Sequence, residues 1–80
     1  MAYHRRLIEK GVLGQVSKIR EEFEEFQDAN EQGNPIMELI ELSDLLGAIE
    51  LYTLRYNVTL EDLIKMKQAT QSAFRDGTRK

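Results

Sequence analysis

Cysteine and tryptophan are absent, and proline and histidine occur once each, at Pro35 and His4. Without cysteine there can be no disulfide and no thiolate metal site, and a reducing, cytoplasmic setting is expected. No apolar run approaches the roughly 18 residues of a membrane span, so no membrane association is expected. The first residues, MAYHRRLIEKGVLG, are too charged over too short a length to read as a signal peptide. A net charge of −3 disfavours a general nucleic-acid binder, although basic residues gather near the C-terminus. Eighty residues suffice for one domain, expected over 1–80, and a domain so small buries a limited share of its surface. It needs very regular helix packing or a partner chain.

What the chain does have is helical periodicity. Val12, Val16, Ile19, Phe23 and Phe26 recur every three or four residues, which predicts a helix from about Val12 to about Glu31 with both phenylalanines toward the core. Asn30, Gly33, Asn34 and Pro35 form the strongest turn signal, with Pro35 where a first helical turn tolerates it. A second helix, from about Pro35 to about Arg55, is apolar on nearly every side, and one neighbour of similar length cannot cover it. A second subunit is therefore expected against it, and Asn57 is expected to end it. Thr59 and Asp62 have capping-box spacing and start a third helix with a thinner apolar stripe, for which Gly77 is a plausible stop. Tyr3 to Lys10 reads as a short leading helix ended by Gly11, and no segment alternates like a strand. The expected fold class is all-α: an antiparallel helical hairpin plus a third helix, assembling into an oligomeric helix bundle.

Two acidic pairs interrupt this pattern. Residues three and four apart share a helix face, so Lys18, Glu22 and Glu25 lie along one strip at the edge of the Phe23/Phe26 stripe, with Ala29 continuing it. Glu21 and Glu24 point further round. An acidic helix edge is by itself most simply a solvated face. On the second helix, however, Glu41 and Asp44 share a face with Ala48 and Arg55 in an otherwise apolar segment, and burying unpaired carboxylates costs several kcal/mol. Arg55 could compensate one acid but not two pairs. In an antiparallel hairpin, Glu25 and Glu41 stand at equal distances from the turn, and Glu22 meets Asp44 one level deeper. Four converging carboxylates require a cation, and all-oxygen ligation suits Mg²⁺, with Mn²⁺ as an alternative. With the only histidine remote in sequence and expected at the surface, zinc is not expected.

The EExxE element, Glu21-Glu22-Phe23-Glu24-Glu25, followed by ExxD, Glu41-Leu42-Ser43-Asp44, resembles the MazG-like all-α nucleoside triphosphate pyrophosphohydrolases. ELSDLLGAIE is similar to their second conserved helix, and the resemblance extends over about Lys18 to Arg79. It implies an all-helical homodimer or homotetramer that hydrolyses a (deoxy)nucleoside triphosphate to the monophosphate and pyrophosphate with Mg²⁺. It implies metal ligation by Glu22, Glu25, Glu41 and Asp44. Lys18 matches a lysine found one turn before the first ligand, and Lys67 and Arg75 fall in a segment that resembles the family's basic, phosphate-contacting tail. Gln71 stands where many members carry asparagine.

On this reading Glu21 or Glu22 orients or deprotonates the attacking water, and Lys18, Arg55, Lys67 and Arg75 face phosphate. Tyr52 or a phenylalanine is a candidate base platform, although each reads more readily as core. Two other readings fit the residues. One is phosphoribosyl-ATP pyrophosphohydrolase, from the same superfamily. The other is a non-catalytic helical oligomerisation or regulatory protein whose acids are surface charges.

Overall fold

A computed structural model describes residues 4–75. Among them it is all-α: α1 (Val16–Glu31), α2 (Pro35–Thr53), a 3₁₀ turn at Leu54–Tyr56, and α3 (Leu60–Arg75). No described helix is long and apolar enough to cross a membrane.

The boundaries follow from local chemistry. The apolar period begins at Val12, but α1 begins only at Val16. Gly14 adopts φ +84°, and the Gln15 N–H closes a turn onto the Val12 carbonyl at 3.0 Å, which helical backbone does not allow. At the other end Gly33 takes φ +68°. Its N–H bonds the Asn30 carbonyl at 3.0 Å, while the Asn34 N–H bonds the Ala29 carbonyl at 3.1 Å, the paired pattern that closes a Schellman motif. Asn34 then caps α2, its side-chain oxygen accepting from the Met37 N–H at 3.1 Å, with Pro35 as the first helical residue. Thus one helix stops and the next starts within three residues.

Asn57, left-handed at φ 58°, stops the turn after α2. Thr59 and Asp62 form the reciprocal capping box: the Thr59 hydroxyl accepts from the Asp62 N–H at 3.1 Å, and the Asp62 carboxylate accepts from the Thr59 N–H at 3.0 Å. Gly77 lies outside the described residues. The expected leading helix does not form: residues 4–10 run as an irregular arm, with Tyr3 outside the described range. The arm is held by polar contacts to α1, described below.

α1 packs along α2. Asn30 meets Glu38 at 3.3 Å near the turn, and the carboxylates of Glu22 and Asp44 converge further from it. α3 makes little contact with either helix. The radius of gyration is accordingly 15.0 Å, against about 11.6 Å for a compact chain of this length.

The interior is the reverse of what the apolar stripes suggest. The buried residues are Ala29, Ala48 and four acids: Glu21, Glu22, Asp28 and Glu41. Phe23, expected in the core, is 45% exposed, and on α2 Ile36 and Leu39 are about 70% exposed, at 72% and 68%. In the single chain, the acidic edges of α1 and α2 are thus buried, while Phe23, Ile36 and Leu39 point outward and Ile19, Phe26, Leu45 and Ile49 are half-buried.

Candidate metal centre

The two helices can approach along this edge because small residues stand there. Ala29 and Ala48 are 1% and 4% exposed and leave the intervening space to the acids. Glu22, Glu41 and Asp44 can each offer an oxygen within 4.8 Å of the others; so can Glu21, Glu22 and Glu25. Glu22 and Glu41 are buried, whereas Asp44 is exposed and opens the cluster to solvent. Asp44 lies between two clefts. One, of about 440 Å³, is lined by His4, Glu25 and Glu41 among others; the other, of about 430 Å³, by Lys18, Glu22, Ala48 and Glu50.

His4 is not the remote surface residue expected from its place in the sequence. Its Nδ1 lies 3.0 Å from Asp28 Oδ2, and its Nε2 lies 3.1 Å from Glu41 Oε2 and 3.4 Å from Glu25 Oε2. The rest of the arm is fastened beside it. The Arg5 N–H donates to Asp28 at 3.0 Å, Arg6 pairs with Glu31 at 2.8 Å, and the Gly11 N–H donates to Glu21 at 2.7 Å. A side chain at Gly11 would collide with the Ser17 carbonyl, so glycine is required for this close approach.

These contacts divide the acids. Burial favours the neutral form of Glu21, but the Gly11 N–H and the Lys18 ammonium outweigh it and hold the carboxyl below its usual range. Asp28 is likewise held low, because the Arg5 N–H, Gln32 and His4 outweigh the effect of burial. Glu25 goes the other way. Burial, a hydrogen bond shared with Glu21, and the charges of Glu22 and Glu41 push it up to about 7, against the opposing pull of His4. Glu41 is raised by burial and by its contact with Asp44. Burial lowers the His4 imidazole, but Asp28, Glu25 and Glu41 together raise it. The Glu25–Glu41 side of the cluster thus holds more negative charge than its neighbours neutralise.

Lys18 is the one predicted cation at the cluster, its Nζ 3.2 Å from both Glu21 and Glu22. The other oxygen of Glu22, Oε2, is buried with no hydrogen-bond partner. Arg55 does not reach the acids; it donates to the Gly14 carbonyl and lies 4.3 Å over the Tyr52 ring. That stacking also occupies one face of the candidate base platform. Lys67 and Arg75 are exposed on α3, away from the cluster, and Lys67 bonds Gln71 at 3.3 Å.

Two members of the cluster escaped the sequence reading. Asp28 continues the strip of Glu21 at a spacing of seven, so helical periodicity alone could have placed it. No local pattern signals His4, because its position depends on a contact across 24 residues.

Comparison with models of protein families, with curated proteins and with solved structures finds no match.

Proposed function

We propose that this protein is a divalent-metal-dependent pyrophosphohydrolase that cleaves a (deoxy)nucleoside triphosphate to the monophosphate and pyrophosphate. The observation that carries the reading is Glu22, whose Oε2 is buried without a partner and whose carboxylate offers an oxygen within 4.8 Å of oxygens of Glu41 and Asp44. A buried, unpaired acceptor among like charges is unfavourable by several kcal/mol unless a cation joins it. The donors are carboxylate oxygens open to solvent through Asp44, which fits a hard ion that keeps some water and accepts phosphate oxygens. The resemblance of the EExxE and ExxD elements to MazG-like enzymes supports the same conclusion.

On this reading Glu22, Glu25, Glu41 and Asp44 hold Mg²⁺ or Mn²⁺. The ion, when bound, neutralises the triphosphate and acidifies a coordinated water. Lys18 lines the second cleft with Glu22 and Ala48 and faces the phosphates there. Glu21, kept ionised by Gly11 and Lys18, orients water by accepting its proton in a hydrogen bond. The two acidic helices form an antiparallel hairpin, and the outward apolar side chains join copies of the chain into a dimer or tetramer. Lys67 and Arg75 then serve the acidic cluster of a second copy, since α3 stands away from its own. A cytoplasmic location accords with the absence of cysteine.

The test is pyrophosphate release from a panel of nucleoside and deoxynucleoside triphosphates with Mg²⁺ or Mn²⁺, phosphoribosyl-ATP included. Wild type is expected to release it from at least one. Glu41→Gln and Asp44→Asn are expected to lose at least about 100-fold, in line with removal of groups that stabilise transition-state charge. Absence of release from every substrate sinks the proposal in favour of a non-catalytic assembly protein.

A further inference from the structure

We propose that His4 is itself a metal ligand through Nε2, beside Glu25 and Glu41, making this a mixed nitrogen–oxygen site that takes a divalent transition ion such as Mn²⁺ in preference to Mg²⁺. The inference rests on the metal-dependent reading above and adds to it a ligand and a class of ion.

The geometry supplies the first argument. The three groups can offer donor atoms within 4.8 Å of one another, and Nε2 lies 3.1 Å and 3.4 Å from the two carboxylates. Two donors held about 2.1 Å from one ion stand about 3.0 Å apart at a right angle and about 3.4 Å apart at the tetrahedral angle. The Nε2–carboxylate separations therefore already fall at coordination spacing.

Asp28 supplies the second. It is 2% exposed and accepts hydrogen bonds from its other neighbours, which leaves Nδ1 as the donor at 3.0 Å. Loss of the other ring proton leaves the Nε2 lone pair aimed at Glu25 and Glu41. A carboxylate that fixes the tautomer and ring direction of a ligating histidine is the usual support for such a ligand. Asp28 is in turn fixed by the Arg5 N–H at 3.0 Å and by Gln32 at 2.7 Å, so the orientation does not depend on a mobile side chain.

Charge supplies the third. Lys18 answers Glu21 and Glu22, Lys10 lies 3.8 Å from Glu21, and Arg6 lies 3.8 Å from Asp28. One imidazolium is then left to face Glu25, Glu41 and the neighbouring Asp44, while the buried Glu22 Oε2 has no partner. A single positive charge is too little, whereas a divalent ion held by neutral imidazole and carboxylates balances the group. Oxygen-only sites suit Mg²⁺; an imidazole donor shifts preference toward Mn²⁺ and later divalent ions. The structure thus removes the ground on which nitrogen ligation was excluded from the sequence.

The experiment uses tag-free, full-length protein with one equivalent of Mn²⁺, read by pulsed electron paramagnetic resonance on samples with ordinary and ¹⁵N-labelled histidine. His4 is the sole histidine, so an imidazole-nitrogen coupling belongs to it alone. That coupling is expected. In calorimetric titrations His4→Gln is expected to weaken Mn²⁺ by about ten-fold or more and Mg²⁺ by less than about three-fold, and Asp28→Asn to weaken Mn²⁺ by roughly ten-fold. Bound Mn²⁺ without nitrogen coupling overturns the inference, even if Glu41→Gln abolishes binding and so leaves the carboxylate site standing. Equal or tighter Mn²⁺ binding by His4→Gln overturns it too, and makes the imidazolium a displaceable counter-ion. If wild type binds neither Mn²⁺ nor Mg²⁺, this inference and the metal-dependent reading both fall. The wild-type spectrum decides the matter even if a variant fails to fold.

Discussion

His4 lies 3.0 Å from Asp28 through Nδ1 and 3.1 Å from Glu41 through Nε2, so one imidazole bridges a buried acid of α1 and a buried acid of α2. The N-terminal arm, α1 and α2 meet at this ring. The acidic edge is consequently both the interior of the single chain and its candidate reactive centre.

The metal-free protein is expected to lose stability as pH rises from about 5 to 8. Glu25 is raised to about 7 and Glu41 is raised as well, so folding favours their protonated forms. That advantage fades as pH climbs from the unfolded carboxyl value, about 4.3, through the folded values. His4 is also raised, and its contribution, complete below the unfolded value of about 6.5, is lost as pH passes its folded one. Glu21 and Asp28, held low, act oppositely only in acid below about 4.5. Thermal melts in EDTA at pH 5, 6, 7 and 8 check this. A melting temperature that climbs over the range contradicts the charge distribution described.

Divalent metal is expected to reverse that trend. Ligand deprotonation favours binding, so Mn²⁺ or Mg²⁺ stabilises most where the metal-free protein is weakest. At a hundred-fold excess over its dissociation constant the ion adds about 2.7 kcal/mol, which for a domain this small is roughly 10 °C or more in melting temperature. Glu41→Gln is expected to lose most of this increment while melting no lower than wild type in EDTA, because it removes one of the crowded charges. An equal metal response in the variant counts against Glu41 as a ligand.

The helices were legible because their signals are local. The Asn34–Pro35 start, the Gly33 stop and the Thr59–Asp62 box each act within a few residues, and each stands where its chemistry requires. Gly14 was the exception: its left-handed backbone cut four residues from the start of the expected first helix. The acidic pairs could also be read from spacing, since three-residue periodicity on two helices joined by a short turn leaves few other meetings. Burial could not. Phe23 was assigned to the core on amphipathicity, but periodicity says only that a stripe needs covering and not by which surface. The arm was illegible for a different reason. Its seven described residues carry no strong helical pattern, and what fixes them is a set of hydrogen bonds to Glu21 and Asp28 that depends on tertiary placement.

Gly11→Ala is expected to dislodge the arm without unfolding the helices. The added methyl would strike the Ser17 carbonyl, and relief requires moving the Gly11 N–H away from Glu21. Overpacking of this kind costs about 1–3 kcal/mol. In heteronuclear spectra the amides of Arg5 and Val12 should shift strongly, while those of α3 stay unchanged. Uniform loss of dispersion throughout the chain shows instead that the arm is integral to the fold.

Assembly should be visible in solution. Leu39 and Ile36 are about 70% exposed in the single chain, at 68% and 72%, alongside half-exposed Leu46 at 51% and Leu51 at 42%. Leaving such side chains in water forgoes about 1.5–3 kcal/mol each relative to full burial. A continuous apolar face on an 80-residue chain is thus a strong drive to pair with another copy. Light scattering after size exclusion is expected to give two or four times the chain mass of 9.3 kDa. Leu39→Asp places a charge in that face at a position already exposed in the isolated chain. It is expected to shift the population toward monomer and to lower the melting temperature. Because α3 lies away from its own acidic cluster, the proposed hydrolysis, if it draws on α3 of a second copy, should be abolished by dissociation while the acids themselves are untouched. A monomeric wild type that still hydrolyses nucleotides shows that one chain suffices and that Lys67 and Arg75 do not act across copies.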